Sequence, residues 1–215
     1  MQNPVPLPHP ELQKVLLPAY APCAGFGSCP EAVWNPAIGH VPRGFLGACG
    51  ALTEVRAVMV FAEPGGVYPT DHYDETLSPQ HLLAATVVET GRIMATSQDQ
   101  FHRNVRWFID QILPGQDFAT QLRGVWLTEG RLCSVLQEIG GRKDRSCANR
   151  YLARQVALMP QAVVIGFGNK AQAYLSALKI DHCAARALSP PGANHRPARP
   201  SWDATIAEVK LRHPN

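Results

Sequence analysis

The chain has 215 residues, 46% of them hydrophobic and 17% charged, with a formal net charge of +3. That length suits one domain with enough chain to bury a core. The mild charge permits nucleic acid as a partner without demanding it.

No apolar run approaches the ~18 residues that cross a bilayer. The Pro-rich start, Met1 to Pro10, lacks the basic-then-apolar pattern of an export signal. A cytoplasmic monomer with no membrane partner is therefore expected. In that compartment the six cysteines, Cys23, Cys29, Cys49, Cys133, Cys147 and Cys183, should not form disulfides. Core packing, a metal site or a redox role are the readings left.

In chain order, residues 1–20 read as a flexible arm with a short helix near Glu11–Leu17, and residues 21–215 as a single domain. Val55–Phe61 is a β-branched run expected to be a buried strand, stopped by Pro64 and Gly65. Pro79–Ala95 and Asp99–Ile112 carry apolar residues at helical spacing. Gly124–Thr128 reads as a second strand, Ser146–Met159 as a helix stopped by Pro160, and Ala162–Gly166 as a third strand. A helix over Asn169–Leu178, a strand over Cys183–Leu188 and a closing helix over Pro200–Leu211 complete the pattern. Alternating strands and helices predict an α/β fold: a three-layer α/β/α sandwich around a mostly parallel four-stranded sheet. Ligands of such sheets sit beyond the strands' carboxyl ends. That singles out Ala62–Gly66, Thr128–Arg131 and Ser189–Asn194.

Three segments then point to a family. VMVFAEPGG (Val58–Gly66) has a strand followed by Pro-Gly; CANRYLARQVALMPQAVVIGFGNKAQAYL (Cys147–Leu175) has a Cys, a helix, Pro, a strand and a Gly-rich turn; SPPGANHRP (Ser189–Pro197) is a Pro-rich loop. In this order they resemble the uracil-DNA glycosylase superfamily, and within it the iron-sulfur branches. The likeness covers roughly residues 20–210 of the chain.

The resemblance implies DNA as the partner and excision of a deaminated or damaged base by hydrolysis of its N-glycosidic bond. It implies a 4Fe-4S cluster on Cys23, Cys29, Cys133 and Cys147, since thiolates are the usual cluster ligands. Four ordinary cysteines or a zinc site are the alternatives, and Cys49 and Cys183 are expected to pack. Glu63 stands directly before Pro64-Gly65, where the family carries its water-handling Asp or Asn, and is the expected catalytic carboxylate. Gly65 and Gly66 would let backbone N–H groups approach the base or sugar closely, Ala62 would join Gly65 in binding the base, and Tyr73, or Tyr68, would stack on it. Glu129 falls where the family usually has an Asn that pairs with uracil. A carboxylate cannot donate unless protonated. Either the base is not uracil, or burial keeps Glu129 protonated, or the pocket has lost its base; a shift of one residue would put Thr128 there instead. Ser189 and Pro190 occupy the place of the family's His-Pro. His195 is the nearest imidazole and the second expected catalytic residue, and Arg196 and Arg199 would join Ser189 and Pro190 in contacting DNA. A DNA-binding relative without excision, and an α/β enzyme acting on free nucleotides, are the competing readings.

Overall fold

The β-branched runs read from the sequence lie side by side in the computed structural model, which describes residues 5–29, 31–68, 71–97, 99–135 and 146–214. Strands β2 (Ala57–Phe61), β3 (Val125–Glu129) and β4 (Val163–Phe167) are buried at every residue. Consecutive residues of a strand point to opposite faces, so both faces of this sheet are covered, as parallel strands require. β2 pairs in parallel with β3 and β4, and β4 pairs in parallel with β5 (Cys183–Ala185).

A fifth strand corrects the expected count of four. β1 (Leu46–Gly47) runs antiparallel along β3, giving the order β1-β3-β2-β4-β5. Two residues carry no readable period, so nothing in the sequence announced it. Its approach depends on Gly47, whose φ is +101 and whose α-carbon could bear a Cβ only 2.1 Å from the Val125 carbonyl oxygen.

The helices begin where polar side chains cap them. Ser78 caps α2 (Pro79–Thr96) and Asp99 caps α3 (Gln100–Ile112), each accepting from the backbone N–H three residues on. Asp117 does the same for α4 (Phe118–Gly124), a helix too short for its periodicity to show. The expected helix over Ser146–Met159 is a π-turn at Ala148–Leu152 running into α5 (Ala153–Ala157). α6 (Asn169–Ala177) and α7 (Ala198–Arg212) follow. The arm expected over residues 1–20 is not free in its second half. α1 (Pro10–Leu16) and the turn after it bury Leu12, Leu16, Ala19 and Tyr20 in the core; the first four residues lie outside the described ones. Among the described residues no helix is long and apolar enough to cross a membrane.

Strand order fixes where a ligand has room. The chain leaves β2 toward β3 on one side and leaves β4 toward β5 on the other. The crevice beyond the ends of β2 and β4 is where the two connections part.

The opposite face of β3 is tied to α5 by one side chain. Gln155, fully buried, accepts from Trp126 Nε1 at 3.0 Å and from Thr128 Oγ1 at 2.7 Å. Gln155→Ala leaves these donors buried without an acceptor. It should lower the unfolding free energy by about 1–3 kcal/mol, read as a lower urea midpoint at unchanged slope.

Candidate functional site

Pairing between β2 and β3 continues past the strands. Gly130 N donates to Phe61 O at 2.8 Å and Arg131 N to Ala62 O at 3.0 Å. Pro64 then ends the run, and Glu63 is left on a fixed stub of backbone at the crevice. A cavity of about 700 Å³ opens there, lined by Ala62, Glu63, Gly65, Tyr68, Tyr73, Glu129, Ser189 and Pro190 among others. This is the size of an ordinary small-molecule pocket. All three strand ends singled out by the sequence therefore contribute to one cavity.

Register decides which residue of β3 faces it. Phe61 is the partner of Glu129, so their side chains emerge on the same face. Thr128 points the other way, to Gln155, which excludes it from the cavity. Glu129 is 5% exposed, and its Oε2 has no hydrogen-bond partner among the described residues. Burial pushes its carboxyl well above the usual carboxylate range, the nearby Glu63 adds to this, and Arg43 opposes it. Burial and the neighbouring carboxylate thus favour the protonated form of Glu129.

Glu63 has a different environment. Its Oε1 meets Lys170 Nζ at 3.1 Å, with the Glu63 side chain only 9% exposed. Lys170 stands in the first turn of α6, just beyond β4, so this ion pair spans the crevice between β2 and β4. Arg43 binds the loop that follows. Its Nη1 donates to Gly39 O at 2.9 Å and Ser134 Oγ at 3.2 Å, and its Nη2 donates to Gly65 O. Burial works against the charge of this guanidinium, while Asp71 and Tyr73 support it.

Aromatic rings line the cavity too. Phe61 stacks on Phe167 with centroids 5.3 Å apart and meets Phe101 edge-on at 5.2 Å. Tyr68 and Tyr73 both line it, but Tyr68 is tethered: its hydroxyl donates to Asp99 Oδ2 at 2.7 Å. The same oxygen lies 2.8 Å from His102 Nδ1. Burial disfavours the Asp99 charge, yet the backbone N–H of His102 and the Tyr68 hydroxyl outweigh it and hold the carboxyl low. Asp99 and His102 line the cavity and were not singled out by the sequence. An Asp three residues before a His at a helix start was the available sign, and it also describes ordinary capping.

The Pro-rich loop is divided. Ser189 and Pro190 line the cavity. His195 and Arg196 are exposed and are not among its lining residues, so the imidazole expected from this loop does not reach the site. Arg199 lies over the Trp107 ring, 3.6 Å from its centroid, and pairs with Asp203 Oδ1 at 3.2 Å.

Cys23, Cys29, Cys133 and Cys147 line a second, smaller cleft of about 20 Å³. Leu132 N donates to Cys147 Sγ at 3.4 Å, Arg131 Nη2 to Cys29 Sγ at 3.3 Å and Arg150 Nη1 to Cys23 Sγ at 3.7 Å. Such N–H donors are the groups that stabilise sulfur ligands. Burial, and then the neighbouring sulfurs, push the Cys133 and Cys147 thiols up to about 12; a bound cation inverts that balance. Four thiols on one cleft are a donor set suited to iron-sulfur ligation. Among the described residues, no three Cys, His, Asp or Glu side chains converge closely enough to hold a metal ion as they stand. Cys49 and Cys183 lie elsewhere, half-buried.

The chain matches no known family model, and no curated protein is significantly similar to it.

The state of Glu129 makes stability depend on pH. The folded chain holds this proton more tightly than the unfolded chain, so above the ordinary glutamate value of 4.5 stability falls as pH rises, until the buried group ionises. Glu129→Gln cannot ionise. Thermal melts across pH should show the variant gaining on wild type from pH 4.5 upward, with the largest advantage at alkaline pH.

Proposed function

We propose that the protein is a monofunctional DNA glycosylase with a three-layer fold of the uracil-DNA glycosylase kind. It takes a deaminated or damaged base out of the stack and hydrolyses its N-glycosidic bond. The observation that carries this reading is the meeting of Ala62–Gly66, Glu129 and Ser189–Pro190 around one cavity, because these are the stretches whose sequence resembles the superfamily's working motifs.

The cavity suits a flipped base. Such a base is held by stacking on rings and by hydrogen bonds to its edge; Tyr73 and Phe101 supply rings, and Glu129 faces the edge. Glu63 holds the attacking water. Its ion pair with Lys170 fixes the carboxylate, so one oxygen is anchored while the other accepts the water's proton. Arg43 positions the Gly65 carbonyl, and Gly65 has open space on its α-carbon side, which lets DNA come close to the backbone there. Arg196 and the loop from Ser189 would meet phosphates flanking the target.

The four thiols Cys23, Cys29, Cys133 and Cys147 would hold a 4Fe-4S cluster, which would serve structure by tying the N-terminal segment to the region after β3. Anaerobically purified protein should then carry iron and a broad visible absorption, and Cys133→Ser should lose both.

The second reading is a DNA-binding relative without excision. It is favoured by Ser189 in the place of an imidazole and by the exposed position of His195. Excision separates the two. Oligonucleotides bearing uracil, hypoxanthine, xanthine or a thymine mismatch should be cut after alkali at one or more lesions. Glu63→Gln should slow that step by roughly 10²–10⁴-fold with DNA binding retained. Salt-sensitive binding with no cutting of any lesion would favour the silent relative.

A further inference from the structure

We propose that Glu129 is the acid of the site: it gives a proton to the departing base while Glu63 takes one from water. This rests on the glycosylase reading above and assigns the leaving-group chemistry within it.

Breaking the bond between C1′ and the base nitrogen sends the electron pair onto the base, where a donor must meet it. The Pro-rich loop does not supply a strong one, since Ser189 offers a neutral hydroxyl and His195 is exposed and outside the cavity. Several of the other donors lining the cavity are committed. Arg43 donates to Gly39 O, Ser134 Oγ and Gly65 O. Lys170 is paired with Glu63. The Tyr68 hydroxyl and His102 Nδ1 both meet Asp99 Oδ2. Glu129 lines the same cavity, is 5% exposed, and has an oxygen with no partner among the described residues.

The two carboxyl groups are set apart by their surroundings. Glu63 and Arg43 are the charged groups that act on Glu129, with Lys170 beyond Glu63, and Asp71 and Tyr73 acting on Arg43. Burial and the charge of Glu63 favour the proton on Glu129, and they outweigh Arg43. Glu63, ion-paired, is the group left to act as base. A buried carboxyl that favours its proton and an ion-paired carboxyl in one pocket divide the acid and base roles between them.

The step balances. The C1′–N bond breaks and its electron pair passes to the base; the proton of Glu129 moves to the base and leaves a carboxylate. A water oxygen bonds to C1′ and yields a proton to Glu63. That proton passes through solvent to Glu129 and restores the starting state, with one water consumed.

The test uses single-turnover excision of uracil and of 5-fluorouracil across pH, by wild type, Glu129→Gln and Glu129→Ala. Fluorine stabilises the departing base anion, so 5-fluorouracil needs less help from an acid. Glu129→Gln should lose roughly 10²–10⁴-fold on uracil and distinctly less on 5-fluorouracil. Wild type should slow at alkaline pH, and Glu129→Gln should lose that fall in rate. The amide still donates a hydrogen bond, so Gln should outperform Ala. In parallel, the carboxyl carbon of Glu129 is followed by NMR in ¹³C-labelled protein, and the signal missing from Glu129→Gln should be that of a protonated acid at neutral pH. Equal losses on the two bases, an unchanged alkaline limb, or a carboxyl titrating in the ordinary range would overturn the assignment. No excision of these bases or of hypoxanthine, xanthine or a mismatched thymine by wild type, with the carboxyl still protonated, would place the failure in the glycosylase reading, and the acid role would fall with it.

Discussion

The site depends on the parallel pairing of β2 with β3 and on its extension beyond the strands. Pairing Phe61 with Glu129 puts both on one face of the sheet, and the bonds from Gly130 N to Phe61 O and from Arg131 N to Ala62 O hold the backbone just before Glu63. A slip of one residue would exchange Thr128 for Glu129. It would also break the buried contacts that Trp126 and Thr128 make with Gln155 on the other face. The same hydrogen bonds that secure the core thus select the residue that faces the cavity.

Once the register is set, electrostatics follow from placement. Both carboxyls line one cavity, and like charges in a shared, poorly solvated site cannot both be favourable. Lys170, reaching from the start of α6, pairs with Glu63, and no equivalent cation pairs with Glu129 among the described residues. Arg43 is near enough to oppose the burial of Glu129, but its own hydrogen bonds go to Gly39, Ser134 and Gly65. In the proposed function, that asymmetry separates the group acting on water from the group facing the base.

Much of the fold was legible because it rests on local patterns. The runs at Val55–Phe61 and Ala162–Gly166 are apolar and β-branched, and each ends at a Gly or Pro cluster; the structure shifts their limits by only one or two residues. What escaped was short or depended on distant partners. β1 has two residues, and its fit turns on Gly47 against Val125. The helix α4 is seven residues long. The buried half of the N-terminal arm escaped because Pro-rich surroundings read as loop, whereas Leu12, Leu16 and Tyr20 find apolar partners only once the sheet exists.

The sequence by itself determined the α/β class, the parallel pairing implied by fully apolar strands, and the strand ends that could carry a ligand. It did so because hydrophobic period and Gly-Pro punctuation are properties of neighbouring residues. Only the tertiary structure decided which side chains share the cavity. Lys170 lies 107 residues from Glu63, and Asp99 and His102 reach the same cavity on a separate helix. It also decided that His195 stays in solvent while Glu129 is buried. A side chain's charge state and partners are fixed by what surrounds it in space, and no pattern along the chain encodes that.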